Sequence, residues 1–174
     1  TSSGICIALL WGCIAFAADT VTDEPGHSIE TQQAMHGAYL IRIGNCMGCH
    51  TTKGGQPFAG GRRLSTSFGI FVTPNITPDK ATGIGLWREE DFWQALHQGK
   101  SRDGRLLYPA FPYTEYTKVT REDANAMFAY LQSLPPVSQS NPSHDISFPY
   151  SFRPLLAIWR ALYFKAGGYE SDQS

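Results

Sequence analysis

The chain contains 174 residues, of which 14 are lysine or arginine and 15 are aspartate or glutamate, so its formal net charge is −1. This balance argues against nucleic acid as a partner, because nucleic-acid-binding domains carry a basic excess or a basic stripe. Aromatic residues reach 13% and charged residues only 17%, which excludes intrinsic disorder, since disordered chains are poor in aromatics and rich in charge. The length fits one domain, and 17 glycines with 11 prolines indicate many loops.

The first apolar segment, residues 4–18, carries no charge and is shorter than the roughly 20 residues that cross a bilayer. It has the length of the apolar core of a signal peptide, and residues 15–17 (AFA) have the small-x-small pattern of a cleavage site. We therefore predict a cleaved signal peptide over residues 1–18 and export to the periplasm, with an uncleaved anchor or a buried helix as alternatives. Cleavage removes Cys6 and Cys13, which leaves two cysteines.

The next segment, residues 29–43, has the periodicity of a helix that ends at Gly44-Asn45. Gly37 lies on its apolar side and is expected to allow close approach of another helix. The expected partner is a helix over residues 120–133, which opens with a capping box of Thr120 and Asp123.

Residues 46–50 read CMGCH, the C-x-x-C-H pattern of c-type haem attachment. Two thiols three positions apart lie about one helical turn from each other and match the two vinyl groups on one edge of the porphyrin. His50 follows directly and is placed to bind the iron. We therefore predict one covalent haem c held by Cys46 and Cys49, with His50 as the proximal iron ligand.

A disulfide, a thioredoxin-like redox pair and half of a zinc site are the alternative interpretations of these two cysteines. A thioredoxin motif follows a strand, whereas the residues before Cys46 have helical periodicity. A zinc site needs a second pair of ligands at suitable spacing, and the predicted mature chain has no further cysteine. The haem interpretation is therefore favoured.

The rest of the chain is predicted as loops and short helices. Residues 51–86 are rich in Gly, Pro and Thr and form a loop, and residues 89–98 form a short helix. No segment shows sustained alternation, so we expect an all-α fold, with the haem domain over residues 28–136. Residues 137–174 are predicted to be an apolar helical tail that docks on a partner, a following domain or a membrane surface.

The chain resembles a class I cytochrome c in the helix before CMGCH, in the attachment sequence itself, in Pro74-Asn75-Ile76 and in a final helix ending in YLQSLPP. It is most similar to the first haem domain of the cytochrome c subunits of membrane-associated bacterial alcohol, gluconate, sorbitol and aldehyde dehydrogenases. The segments that carry this resemblance are GAYL (37–40), PFAGGR (57–62), TPNITPD (73–79), TGIGLW (82–87) and DGRLLYPAFPY (103–113). These subunits usually hold three haem domains in a row, and this chain resembles the first alone.

The resemblance implies roles for residues outside the attachment sequence. Asn75 and Ile76 contact the haem, and the carbonyl of Pro74 accepts a hydrogen bond from His50 that orients the imidazole, with Pro57 as the rival for this role. Arg62 or Arg63 is a candidate to pair with the haem propionates.

The sixth iron ligand is the main departure from the pattern. Phe111 stands where the related subunits often have a methionine, and a phenyl ring does not ligate iron. His97 is a candidate for an alternative ligand, and Met127 and Met35 are the remaining methionines that could serve, although their helical positions favour the core. An open sixth site is the other interpretation. Loss of a methionine ligand lowers the reduction potential, because Met/His ligation raises it.

By this resemblance we expect a periplasmic electron carrier at the outer face of the inner membrane, a location compatible with peripheral membrane association. It passes single electrons from a dehydrogenase subunit, directly or through further haem domains, to quinone or a terminal oxidase. The chain lacks a nucleophile–base constellation, so we expect no substrate chemistry from it alone. The alternative is a haem sensor or gas-binding protein with an open sixth iron site.

Overall fold

The structure is a computed structural model that describes residues 25–168, with side chains from residue 31 onwards. The predicted signal peptide, Cys6 and Cys13 lie outside the described residues. This part of the chain contains six helices and three short strands. The helices are α1 (Pro25–Ile43), α2 (Cys46–His50), α3 (Glu89–Gln98), α4 (Tyr113–Tyr116), α5 (Arg121–Ser133) and α6 (Arg153–Tyr163). The strands are β1 (Arg63–Thr66), β2 (Gly69–Val72) and β3 (Asp145–Ile146).

A small antiparallel sheet corrects the expected all-α fold. Its strand order is β1-β2-β3, and β1 pairs with β2 from Arg63↔Val72 to Thr66↔Gly69. Gly69 has φ 125°, a backbone conformation that side chains disfavour, and a Cβ there would lie 2.4 Å from the carbonyl oxygen of Asp145 in β3. The strands have two to four residues, and such lengths carry too little alternation to be recognised in the sequence.

The close approach of two helices at Gly37 is confirmed. A Cβ on Gly37 of α1 would lie 1.9 Å from the carbonyl oxygen of Ala126 in α5, so the helices meet at backbone distance. The cap of α5 is also as predicted, because the hydroxyl of Thr120 accepts a hydrogen bond from the backbone N–H of Asp123 at 3.1 Å. Together α1, α3 and α5 enclose one apolar core. Its buried members are Ile41, Phe58, Ile84, Phe92, Leu96, Ala124, Met127, Phe128 and Leu131.

Replacing Gly37 with alanine is expected to destabilise the domain by about 2–3 kcal/mol, because the new methyl group would push α1 and α5 apart. Chemical denaturation followed by circular dichroism measures this change in the free energy of unfolding. Gly168→Ala is the matched control, since a Cβ on Gly168 meets no atom within 4 Å. Equal stability of the two variants would contradict the described helix contact.

Residues 137–168 pack on the haem domain that we expected to end at residue 136. The carbonyl oxygen of Val137 accepts a hydrogen bond from Asn75 at 2.7 Å, and the guanidinium of Arg153 donates to the carbonyl of Leu106 at 2.8 Å. Leu156 is buried on the inner side of α6. The segment therefore contacts the preceding residues through these hydrogen bonds, and it contains the predicted helix.

The outer side of α6 is apolar, while its arginines turn inward. The guanidinium carbon of Arg153 lies 5.0 Å from the ring centre of Tyr108, and that of Arg160 lies 5.4 Å from the ring centre of Tyr113. Exposed apolar side chains on α6 are Leu155, Ile158, Leu162 and Tyr163. None of the helices within residues 25–168 is long and apolar enough to cross a membrane.

His144 joins the tail segment to the sheet. The backbone N–H of Val72 donates a hydrogen bond to Nδ1 of His144 at 3.1 Å. The imidazole packs against Phe71 and Tyr108, with ring centres 5.5 and 5.7 Å away. Because Nδ1 accepts this hydrogen bond, the native contact requires that nitrogen to be unprotonated.

Acidification is expected to weaken this contact. Burial lowers the pKa of His144 below its usual value of 6.5, and the cations of Arg153 and Arg105 lower it further. The contribution of His144 to stability is therefore present above about pH 6.5 and is lost as the pH falls through the lower native pKa. Because the ring is partly exposed, we expect a loss below about 1 kcal/mol, measured by urea denaturation between pH 7 and pH 5. His144→Asn should flatten this dependence, and an unchanged slope would contradict the assignment.

Candidate haem-binding site

The two cysteines lie in one short helical turn that the chain enters through a left-handed residue. Asn45 precedes α2 with φ 52° and ψ 31°. A Cβ on Gly48 would lie 2.2 Å from Oδ1 of Asn45, so the Asn45 side chain lies against this turn and would have to move if residue 48 carried a side chain. Cys46 and Cys49 are both half-buried and form no disulfide. Burial raises the pKa of Cys46 to about 11, which keeps it a neutral thiol.

His50 is oriented by a single backbone carbonyl. Its Nδ1 lies 2.8 Å from the carbonyl oxygen of Pro74, and a carbonyl only accepts, so Nδ1 carries the proton and donates it. The unprotonated Nε2 is then available as a ligand atom. Burial lowers the pKa of His50, opposed by this hydrogen bond. The structure makes this contact with Pro74, whereas Pro57 is exposed.

The segment of residues 58–62 connects the attachment turn to the loop that carries Pro74. The N–H of Gly60 donates to the carbonyl of His50 at 2.8 Å, and that of Gly61 donates to the carbonyl of Thr73 at 2.9 Å. Gly60 has φ 76°, and a Cβ there would lie 2.4 Å from the carbonyl carbon of Pro74. Only glycine permits this approach, and the approach places Pro74 within reach of His50.

The guanidinium of Arg62, at the end of this segment, donates to the backbone carbonyl of Gly48 within α2. The described contact is therefore with the attachment turn. Sequence reasoning missed this contact because it joins residues 14 positions apart through one side chain and one carbonyl.

Asn75 is buried, and its side chain is fully hydrogen-bonded within the protein. Its Nδ2 donates to Oγ1 of Thr82 at 3.0 Å and to the carbonyl of Val137 at 2.7 Å. Its Oδ1 accepts from both the N–H and the hydroxyl of Thr77, at 2.9 and 2.8 Å. The structure thus uses Asn75 to hold the loop after Pro74 in place. Sequence reasoning missed Thr77 and Thr82.

Ile76 is tied to the same region by its backbone. Its N–H donates to the carbonyl of Phe58 at 2.9 Å. Its half-buried side chain packs against the apolar core. Of the two residues that the resemblance assigned to haem contact, Ile76 is therefore the one with apolar side-chain surface to offer.

Phe111 and Tyr116 form an aromatic wall beside the attachment turn. The two rings stack with centres 5.4 Å apart at 28°, and the hydroxyl of Tyr116 donates to the carbonyl of Gly44 at 2.6 Å. A Cβ on Gly44 would lie 3.5 Å from Sγ of Cys46 and 3.7 Å from Cε1 of Tyr116. The Tyr116 ring and the Cys46 thiol are therefore close to each other. Burial raises the pKa of Tyr116 to about 12, so the wall is uncharged.

His97 lies on the side of α3 that carries Trp93, whereas Phe92 and Leu96 point into the apolar core. Its Nδ1 lies 2.8 Å from the carbonyl oxygen of Thr117, and its ring stacks on Trp93 with centres 4.4 Å apart. Within residues 31–168, the ring contacts of His97 are with Trp93 and Thr117, and Phe111 is not among them.

The three methionines are also occupied elsewhere or exposed. Met127 is 3% exposed and belongs to the core. Met35 and Met47 are 68% and 48% exposed, and Met47 lies inside the attachment turn. None of the three stands at position 111, where the resemblance expects the methionine ligand.

The residues present fit a covalently attached haem. Two unbridged thiols stand one helical turn apart, which suits two thioether bonds to one porphyrin edge. An imidazole beside them has its Nδ1 proton engaged and its Nε2 free, which is the arrangement of an iron ligand that a backbone hydrogen bond orients. Apolar rings adjoin the thiols, as a flat apolar cofactor requires.

Comparison with known proteins places this site in a family. The chain is 43% identical over 158 residues to the gluconate 2-dehydrogenase cytochrome c subunit of Pantoea cypripedii, covering 90% of this chain and 35% of that protein. It is 39% identical over 140 residues to the alcohol dehydrogenase (quinone) cytochrome c subunit of Gluconobacter oxydans, covering 79% of this chain and 29% of that protein. It is 40% identical over 141 residues to the fructose dehydrogenase cytochrome subunit of Gluconobacter japonicus, covering 80% of this chain and 29% of that protein.

The chain therefore spans about a third of the length of these three relatives. The sequence profile of the cytochrome c family matches residues 34–135, a span that includes the attachment turn, Pro74 and α5. The resemblance that the motifs indicated is thereby confirmed, and membership of this family implies a covalently bound haem c and electron transfer. The chain belongs to the cytochrome c family.

Proposed function

We propose that this chain is a one-haem domain that accepts single electrons from a dehydrogenase subunit and passes them towards quinone or a terminal oxidase. The observation that carries the proposal is the hydrogen bond from Nδ1 of His50 to the carbonyl of Pro74, beside two free cysteines in one helical turn. The printed names of the relatives, which are cytochrome c subunits of gluconate and alcohol dehydrogenases, support a dehydrogenase as the electron donor. The predicted export signal supports a periplasmic site of action.

Each part of the described site has a definite task in this function. Haem c, when bound, supplies one-electron redox chemistry at its iron. Cys46 and Cys49 hold it covalently, and His50 offers Nε2 while Pro74 fixes the imidazole plane and its tautomer. Phe111 and Tyr116 present stacked, uncharged rings beside the thiol of Cys46. The protein thus contributes binding, orientation and burial.

Respiration of the producing bacterium tests the proposal. Membranes from cells that carry the full-length protein are supplied in turn with gluconate, ethanol and fructose, because relatives of this chain are subunits of gluconate, alcohol and fructose dehydrogenases. A strain with Cys46→Ala and Cys49→Ala is expected to lose oxygen uptake with the substrate that the native strain oxidises. It should keep oxidation of that substrate by an artificial electron acceptor. Unchanged oxygen uptake in this strain would overturn the proposal.

A gas-binding sensor is a second candidate, and the observation that favours it is phenylalanine at position 111. Carbon monoxide added to the reduced protein shows whether the iron is accessible, and an unchanged absorbance spectrum would overturn the sensor. If carbon monoxide binds, oxygen uptake measured in its absence distinguishes the two functions, because a carrier with an accessible iron still requires Cys46 and Cys49 for that uptake. Binding together with no dependence of oxygen uptake on the two cysteines would favour the sensor.

A further inference from the structure

Arg62 is the side chain that links the attachment turn to the loop of the orienting carbonyl. Its guanidinium donates to the carbonyl of Gly48, which lies between the two cysteines. Its backbone N–H donates to Oγ1 of Thr73 at 3.1 Å, and its carbonyl accepts from the N–H of Thr73 at 3.0 Å. Thr73 is buried and directly precedes Pro74. Arg62 therefore contacts both α2, which ends at His50, and the loop that carries Pro74. The distance between these two segments determines whether His50 can reach the Pro74 carbonyl.

The charge of Arg62 is held at this place without a carboxylate. Among residues 31–168, no aspartate or glutamate lies within 4.0 Å of its guanidinium nitrogens, while six other basic side chains do form such pairs. The partner is a backbone carbonyl in a five-residue helix, whose last carbonyls have no partner within the helix and carry partial negative charge. A unit positive charge on an exposed side chain is therefore held at the Gly48 carbonyl, one residue before Cys49.

We propose that Arg62 is a positioning residue that holds the attachment turn against the Pro74 loop, and that its positive charge raises the reduction potential of the haem domain. This inference rests on the proposed electron-transfer function. The physical reason is that a fixed positive charge stabilises whichever state carries one more electron, which is the reduced state. This role rests on the contact with Gly48, and the propionate pairing expected from the sequence stays a separate prediction.

Three variants of the full-length haem protein separate charge from position. Arg62→Gln removes the charge and keeps a donor, and Arg62→Lys keeps the charge. Arg63→Gln removes the neighbouring charge at the start of β1, which is exposed like that of Arg62. A redox titration followed by haem absorbance gives the reduction potential without any dehydrogenase. We expect Arg62→Gln to shift the equilibrium towards the oxidised form by about two- to fourfold, or about 0.4–0.8 kcal/mol. Arg62→Lys and Arg63→Gln should each shift it less than Arg62→Gln.

The measured potentials show whether the effect is specific to Arg62 or common to any nearby surface charge. Equal shifts for Arg62→Gln and Arg63→Gln would overturn the inference, because any surface charge would then act alike. No shift in either variant would also overturn it, and would leave the dehydrogenase-dependent oxygen uptake as a separate test of the function. If Arg62→Gln loses covalent haem while Arg62→Lys and Arg63→Gln retain it, the positioning role is supported directly. A native potential in Arg62→Lys then supports the charge as the cause, and a two- to fourfold shift in that variant, which keeps the charge, would overturn it.

Discussion

Replacing both Cys46 and Cys49 with alanine is expected to abolish covalent attachment of haem. The two thiols are free, half-buried and one turn apart, and the described residues include no other cysteine. Without thioether bonds, this chain would bind the cofactor only through the Nε2 atom of His50 and through apolar contacts. The measurement is the mass of the protein and haem-dependent staining after denaturing electrophoresis, which removes non-covalent haem.

Two further variants make this experiment specific. Met47→Leu changes the exposed residue between the cysteines and should retain the full added mass of the haem. Each single cysteine variant should retain one bond and an intermediate yield. Full covalent loading of the double variant would show that residues 46–50 are not the attachment site, and would remove the basis of the proposed function.

The attachment sequence and the helices around it were predictable because their signals are local. Three features are recognisable within a few residues of sequence: the C-x-x-C-H spacing, the cap at Thr120 and the glycine at position 37. The structure confirms the cap and the helix contact. Such features can be predicted from the sequence because each depends on a single turn of the chain or on the absence of one side chain.

The sheet and the packing of residues 137–168 were not predictable in the same way. Hydrogen bonds from Asn75 to Val137 and from Val72 to His144 join residues 62 and 72 positions apart. Each depends on one polar atom meeting another after the chain has folded, which no periodicity records. The hydrogen bonds of Asn75 were not predictable either. The resemblance assigns Asn75 to haem contact, and its side-chain polar atoms bond to Thr77, Thr82 and Val137.

Replacing Phe111 with methionine is expected to raise the reduction potential on the order of 100 mV, a fraction of the roughly 0.8 V range that axial ligands span. The resemblance assigns this position to the methionine ligand of related subunits, and a thioether there would provide the Met/His pair that raises potential. The site has room for the change, because Phe111 is half-buried and methionine is slimmer and more flexible than the phenyl ring. Redox titration of both proteins measures the difference.

Phe111→Leu is the matched control, since it also removes the ring that stacks on Tyr116 but offers no sulfur. Any shift common to both variants reports the lost aromatic wall, and the excess in Phe111→Met reports ligation. Carbon monoxide adds an independent readout, because a sulfur ligand should slow or prevent its binding to the reduced protein while leucine should not. If both variants have the same potential and the same carbon monoxide binding, position 111 does not face the iron, and the resemblance at this residue does not carry over to the chain.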